Sequence, residues 1–161
     1  MLGRLFPQSI TNTYQGSWAA LLLLLPVLLM KTVIGFNFSG LNPFIRVSEV
    51  LQSVDGVPID TFSPEAASTI VETAGAWGMA LLALCLFVWL VVVRYRAGLP
   101  IAILALLIEQ VGRTGVATAR LVAELVATPS MPAAGALINL GMTVFLTIAL
   151  LLSLVRARPL D

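Results

Sequence analysis

The chain has 161 residues, of which 59% are hydrophobic and 11% charged, and its mean hydropathy is +1.01. Soluble domains are about 45–50% apolar and about 25% charged, so this composition excludes an ordinary soluble fold and predicts an integral membrane protein. The net charge of +1 gives no reason to expect a nucleic-acid partner. Histidine is absent and the one cysteine is Cys85, which excludes histidine-bound metal or haem and any internal disulfide in this chain.

Four segments are long and apolar enough to cross a bilayer core about 30 Å thick, which needs about 20 residues. They are residues 18–36, 74–93, 97–116 and 132–155, with an outer loop at 37–73. The first 16 residues do not resemble a cleaved signal peptide, so we expect the first span to be retained. The sequence therefore predicts an all-α integral membrane protein. We expect a single domain over 1–161, with four transmembrane helices in a bundle.

The basic residues indicate the orientation of the spans. Arginines accumulate on the cytoplasmic side of membrane proteins. Five arginines fall on one side if both termini are cytoplasmic; they are Arg4, Arg94, Arg96, Arg156 and Arg158. The loop at 37–73 is acidic and would then lie outside. We predict an N-in, C-in protein, and a bacterial inner membrane as its location.

The outer loop contains signals for two helices. Asn42 as a cap and Pro43 at the first helical position predict a short amphipathic helix of about three turns on the outer surface. Its apolar face would hold Val47, Val50, Leu51 and Val54. Ser63 and Pro64 begin a second helix, which we expect to continue to about Tyr95 and to protrude by about three turns beyond the membrane.

Polar residues from three spans share one depth in the outer half of the membrane. A rise of 1.5 Å per residue places them ~20–26 Å from the inner edge. They are Lys31, Glu109, Arg113, Asn139 and Thr143. An unpaired charge at this depth costs at least about 2.5–3.5 kcal/mol. A Lys31–Glu109 ion pair, with Asn139 as a third partner, would offset that cost and form a polar site for an ion, a quinone or a lipid head group.

A simpler interpretation explains the same charges without a site. Lys31 and Arg113 would extend their ends to the outer surface, and Glu109 would pair with Arg113 at i, i+4 spacing. We prefer this interpretation on the sequence alone. Arg120 and Glu124 repeat the i, i+4 spacing and predict a short interfacial helix after the third span.

Small residues in the spans would let helices approach closely. They are Gly75, Gly78, Gly135, Ala136 and Gly141. They predict packing inside the bundle, with contact to a partner protein as the alternative. The indole of Trp89 lies deeper than those of Trp18 and Trp77 and should pack against a helix or a bound pigment or lipid. The sequence shows no catalytic motif, metal site or intrinsic cofactor, so we expect no enzyme activity.

The stretch "VETAGAWGMALLAL" begins at Val71 and contains the pattern Glu72-x-x-Gly75-x-x-Gly78. With four spans, a long outer first loop and a tight basic second loop, the chain resembles the DoxX-like family of small four-helix membrane proteins. That resemblance implies a membrane partner of a redox enzyme or a quinone-linked subunit. It implies no individual functional residue.

Three functions are compatible with these features. The first is a non-catalytic accessory or structural subunit of a larger membrane complex of the respiratory or photosynthetic type. The second is a small oligomeric transporter or channel that uses the polar layer, and the third is a quinone-linked redox subunit. The expected partners are membrane lipid and either other membrane subunits or further copies of this chain.

Overall fold

The computed structural model describes residues 12 and 14 and the ranges 16–127 and 134–155. These ranges contain five α-helices and two short 3-10 turns at Ile59–Thr61 and Arg96–Gly98. The helices are α1 (Trp18–Phe38), α2 (Val47–Ser53), α3 (Pro64–Arg94), α4 (Leu99–Ala127) and α5 (Ala134–Leu154). All except α2 are long and apolar enough to cross a membrane. The predicted class, an all-helical chain with four such helices, is therefore confirmed.

The beginning of α3 follows from its capping residues. Ser63 Oγ accepts a hydrogen bond from the Ala66 amide, and Pro64 occupies the first turn, where its missing N–H costs nothing. The helix runs for 31 residues and ends at Arg94, as predicted. At 1.5 Å per residue it is ~46 Å long and exceeds a bilayer core of about 30 Å.

The third span differs from its prediction at its C-terminal end. We predicted a span at 97–116 followed by a separate interfacial helix, whereas α4 continues without a break from Leu99 to Ala127. Its one proline, Pro100, lies in the first turn, where a proline is tolerated, and no proline follows it up to Ala127. The side chains of Arg120 and Glu124, and the predicted start of the fourth span at Pro132, lie outside the described part of the structure.

The long helices contact one another in a closed order. Helix α1 packs against α3 and α5, while α4 packs against α5 and α3. Helices α1 and α4 therefore stand opposite each other. At one end, the Ser17 amide donates to the Leu152 carbonyl, and the Arg96 guanidinium lies 5.8 Å from the Trp18 ring centroid. This end thus holds the start of α1, the α3–α4 connection and the end of α5.

The space between the four long helices is filled by apolar side chains. The largest fully buried ones are Leu24, Leu28, Leu81, Val88, Leu99, Ile103, Leu106 and Leu146. Cys85 is also fully buried in this cluster, which confirms its interpretation as a small apolar core residue.

The predicted helix in the first loop is present but shorter. It begins at Val47 after Arg46, not at Asn42 and Pro43, and has seven residues. Asn42 instead accepts from the Phe44 amide and donates to Asn37, which holds residues 42–44 in a turn. The predicted start was wrong because an Asn-Pro pair initiates turns as well as helices.

Residues of α2 and the turn at Ile59–Thr61 form a second apolar cluster with the first turns of α3. We call this unit the outer lobe, after the side of the membrane predicted for this loop. Its buried members are Phe38, Val47, Val50, Leu51 and Ile59, whereas the predicted fourth face residue, Val54, is 40% exposed. Phe38 packs edge-on against Trp77, with ring centroids 5.2 Å apart. The outer lobe is thereby joined to the end of α1.

Glycines allow close approach of α1 to α3, as predicted for Gly78. A Cβ atom at Gly78 would lie 2.5 Å from the Phe38 carbonyl carbon, and one at Gly35 would lie 3.0 Å from the Leu82 amide nitrogen. A Cβ atom at Gly75 would be in looser contact, and one at Gly141 would meet no heavy atom of the described residues within 4 Å. The predicted packing role of Gly141 is therefore wrong, because its face of α5 points away from the other helices. Side chains at 135 and 136 lie outside the described part.

We predict that Gly78→Ala destabilises the protein by about 1–3 kcal/mol, because the added methyl group meets backbone atoms that cannot move aside. The measurement is thermal unfolding in detergent, followed by size-exclusion chromatography. Gly75→Ala is the matched control on the same helix, since its Cβ would meet only the Phe38 carbonyl oxygen at 3.8 Å. Equal unfolding temperatures for the two variants would contradict the close approach at Gly78.

Candidate functional site

Lys31 and Glu109 form an ion pair across the interior of the described helices. Lys31 Nζ donates to Glu109 Oε2. Lys31 lies on α1 and Glu109 on α4, the two helices that stand opposite each other. The lysine is 0% exposed, and the glutamate side chain is 18% exposed. The contact inferred from depth along the spans is therefore present in the structure.

The simpler interpretation of the charges is wrong for Lys31 and for Glu109. Lys31 does not extend to a surface, and Arg113 does not pair with Glu109. The Arg113 guanidinium lies 4.4 Å from the Trp77 ring centroid, and its Nη2 is 3.8 Å from Asp55 Oδ1. Cation–π stacking and the loop carboxylate both stabilise this position, so Arg113 is held towards the outer lobe.

A second polar group joins α4 to α5. Gln110 is fully buried, and its Nε2 donates to the backbone carbonyl of Asn139 at 3.0 Å and lies 3.3 Å from Asn139 Oδ1. The hydroxyls of Thr114 and Thr143 are 3.2 Å apart, and Thr143 also donates to the Asn139 carbonyl. We call these four residues the amide cluster. Hydrogen bonds between membrane helices of this kind contribute about 0.6–2 kcal/mol each.

The predicted polar layer thus divides into three groups. Lys31 and Glu109 pair with each other, Asn139 and Thr143 belong to the amide cluster, and Arg113 faces the outer lobe. The proposed contact of Asn139 with the ion pair was wrong, because Asn139 is bonded to Gln110 instead. The five residues of the predicted layer therefore do not form one site.

Two polar contacts were missed by the sequence analysis. Gln110 was overlooked because it carries no charge. It follows Glu109 directly in the chain, so the depth argument that selected Glu109 applies to it as well. Thr32 accepts a hydrogen bond from the Trp89 indole at 3.0 Å and donates to the Leu28 carbonyl. The deep position of Trp89 was the available signal, because an indole N–H in an apolar layer needs an acceptor.

The ion pair is not fully satisfied by protein groups. Glu109 Oε1 and Gln110 Oε1 are buried and have no hydrogen-bond donor among the described residues. Within the described ranges there is no group of three or more metal-ligating side chains. The site therefore offers a buried carboxylate oxygen, next to an ammonium group, that can accept a hydrogen bond.

Comparison with protein-family models, curated protein sequences and solved structures finds no match to this chain. The resemblance to DoxX-like proteins therefore stays a prediction from the sequence.

We predict that Lys31→Met and Glu109→Gln each lower stability by about 3–5 kcal/mol, because each leaves the other partner buried without its counter-charge. The double variant should regain part of this loss, since no uncompensated charge is left. The measurement is the folded yield and unfolding temperature of all three variants.

Glu72→Gln is the control for this double-mutant cycle, because Glu72 is an exposed carboxylate on the part of α3 that precedes its long apolar run. It should behave as the native chain. Losses that simply add in the double variant would show that the two side chains do not stabilise each other.

Proposed function

We propose that the protein is a non-catalytic subunit of a larger membrane complex and that it binds its partner through the outer lobe. Its four long helices would cross a bacterial inner membrane as one bundle, N-in and C-in. The loop containing α2 would then lie outside the cell membrane, with its apolar side turned towards α3. The acidic loop and the arginines near the other end support this orientation.

The observation that carries the proposal is a group of exposed apolar residues in the segment that joins α1 to α2 of the outer lobe. Phe44 is 90% exposed, and its neighbours Leu41 and Ile45 are 54% and 39% exposed. Phe44 follows the end of α1 by six residues, so it lies within ~22 Å of that end. Exposed aromatic residues held on an ordered support are typical of interaction sites, because they bury much area at little entropic cost.

The closed interior supports a structural role for the transmembrane part. Lys31 and Glu109 join the two opposite helices, and leucines fill the layers below them. A single chain of this kind offers a fixed surface to a partner and leaves little room for a conduit through its centre. If the chain is DoxX-like, the partner would be a redox enzyme or a quinone-linked complex.

We expect the native chain to co-purify with a membrane partner at a fixed ratio in mild detergent, and Phe44→Ser to lose that partner while keeping its unfolding temperature. Leu22→Ala is the control, because Leu22 is 70% exposed on α1 far from the outer lobe. A photo-crosslinking residue at position 44 should capture the partner, and one at position 22 should not. Capture of lipid alone at position 44, or purification of the native chain without a partner, would contradict the proposal.

The second candidate function is a small oligomeric transporter or channel. It is favoured by one observation, that the buried Glu109 Oε1 has no donor in the part of the chain that the structure describes, since ionisable groups inside membranes mark functional sites by default. In liposomes of purified protein, Glu109→Gln should then abolish proton or alkali-cation flux, whereas Glu72→Gln should not. Absence of flux with the native chain would remove this candidate.

A further inference from the structure

Two arginines and two exposed aromatic residues lie at the end of the helices that is opposite the outer lobe. Arg94 is the last residue of α3, and Arg96 lies in the 3-10 turn that leads directly into α4. Backbone hydrogen bonds on both sides of Tyr95 hold this turn. Trp18, the first residue of α1, lies beside it and is 63% exposed. We call these four residues the arginine end.

The guanidinium of Arg96 is held in place while its two outer nitrogens stay unused. Its Nε donates to the Val92 carbonyl at 3.0 Å, and its central carbon lies 5.8 Å from the Trp18 ring centroid. Its two Nη nitrogens have no acceptor among the described residues, and Arg94, which is exposed, has no ion-pair partner there. Both arginines can therefore donate hydrogen bonds to a further group, and one of them has a fixed position.

The positive charge of the arginine end is not neutralised by any described carboxylate. The described acidic residues lie in α2, in the loop after it and in the first three turns of α3, with the exception of Glu109. Glu109 binds Lys31 and is ten residues beyond the start of α4, so it lies ~15 Å away along the helix axis. The planar fork of an arginine matches the oxygens of a phosphate group. The arginine end therefore suits a phosphate-bearing anion.

An exposed apolar strip begins at the arginine end and favours a lipid over a free phosphate. Trp18, Leu22, Leu25 and Leu29 follow at spacings of four, three and four residues, so they share one face of α1. Their side chains are 36–70% exposed. The strip is ~17 Å long, about half of a bilayer core about 30 Å thick. Acyl chains can therefore lie along it, whereas a free phosphate would gain nothing from it.

We propose that the arginine end binds an anionic phospholipid, with the phosphate at Arg94 and Arg96 and the acyl chains along the strip on α1. The phosphate oxygens accept hydrogen bonds from the guanidinium groups. A head group with its own cation would be repelled by two arginines, so the site selects phosphatidylglycerol over phosphatidylcholine. This inference depends neither on the side of the membrane on which the arginine end lies nor on a partner at the outer lobe.

The first test is a lipid titration of the purified full chain in a neutral detergent, read by native mass spectrometry. Phosphatidylglycerol and phosphatidylcholine with the same acyl chains are compared, and glycerophosphoglycerol supplies the head group without acyl chains. We expect phosphatidylglycerol to bind at least about tenfold more tightly than phosphatidylcholine, and glycerophosphoglycerol not to displace it at equal concentration. Equal binding of the two lipids, or displacement by glycerophosphoglycerol, would overturn the proposal.

Substitutions at the two arginines locate the site. Arg94→Gln and Arg96→Gln should each weaken phosphatidylglycerol binding about fivefold, the loss expected for one basic residue at an anionic membrane surface. Arg46→Gln is the matched control, because it removes the same charge from an exposed arginine at the start of α2. It should bind phosphatidylglycerol as the native chain does. An equal loss in all three variants would show attraction to the overall charge and overturn the assigned site.

The variant Arg96→Lys separates a built site from the attraction of charge alone. Lysine keeps the positive charge but has no Nε to donate to the Val92 carbonyl and no planar group to stack on Trp18. We expect this variant to lose at least about threefold in affinity for phosphatidylglycerol, and native affinity would overturn the proposal. Arg94→Gln gives a separate answer where a variant of Arg96 does not fold, because native affinity in Arg94→Gln contradicts the proposal as well.

Discussion

The ion pair between Lys31 and Glu109 is the contact on which the arrangement of the long helices depends. Neither charge can face lipid without a large cost, so both must point inward at the same depth. This requirement sets the rotation of α1 and of α4 about their axes. With Lys31 inward, Leu24 and Leu28 lie on the same face of α1 by helical spacing, and both are fully buried. On α4, Leu106 occupies the corresponding position below Glu109.

The sequence predicted where helices lie better than which faces they present. Ser63, Pro64 and the long apolar run that follows define α3, because capping and apolar length are local properties. The rotation of a span is different. Lipid and protein interior are both apolar, so a membrane helix carries apolar residues on all sides and its hydrophobic pattern does not mark the buried face. The Arg113–Glu109 pair was therefore chosen on local spacing, while the real partners come from α1 and from the loop.

The sequence also does not show which helix each polar residue of the candidate site contacts. Depth alone puts Glu109 and Gln110 at one level, but successive residues of a helix point about 100° apart. Glu109 consequently meets α1, whereas Gln110 meets Asn139 on α5. Helix α4 thus holds two separate polar contacts at one depth, each to a different neighbour. Counting residues along a span places both contacts at the same depth. Only the packing of the helices shows that they are separate.

Arg113 shows how contacts between elements outweigh the spacing of charges along one helix. In the structure its guanidinium lies against Trp77 and faces Asp55, and Trp77 packs on Phe38 at the base of the outer lobe. Glu109 stands one turn away at a spacing that favours an ion pair. Local spacing is nevertheless outweighed, because the Trp77 ring and the Asp55 carboxylate both attract the guanidinium and Lys31 already occupies Glu109. The position of Arg113 is therefore set by residues far from it in the sequence, which spacing along one helix does not reveal.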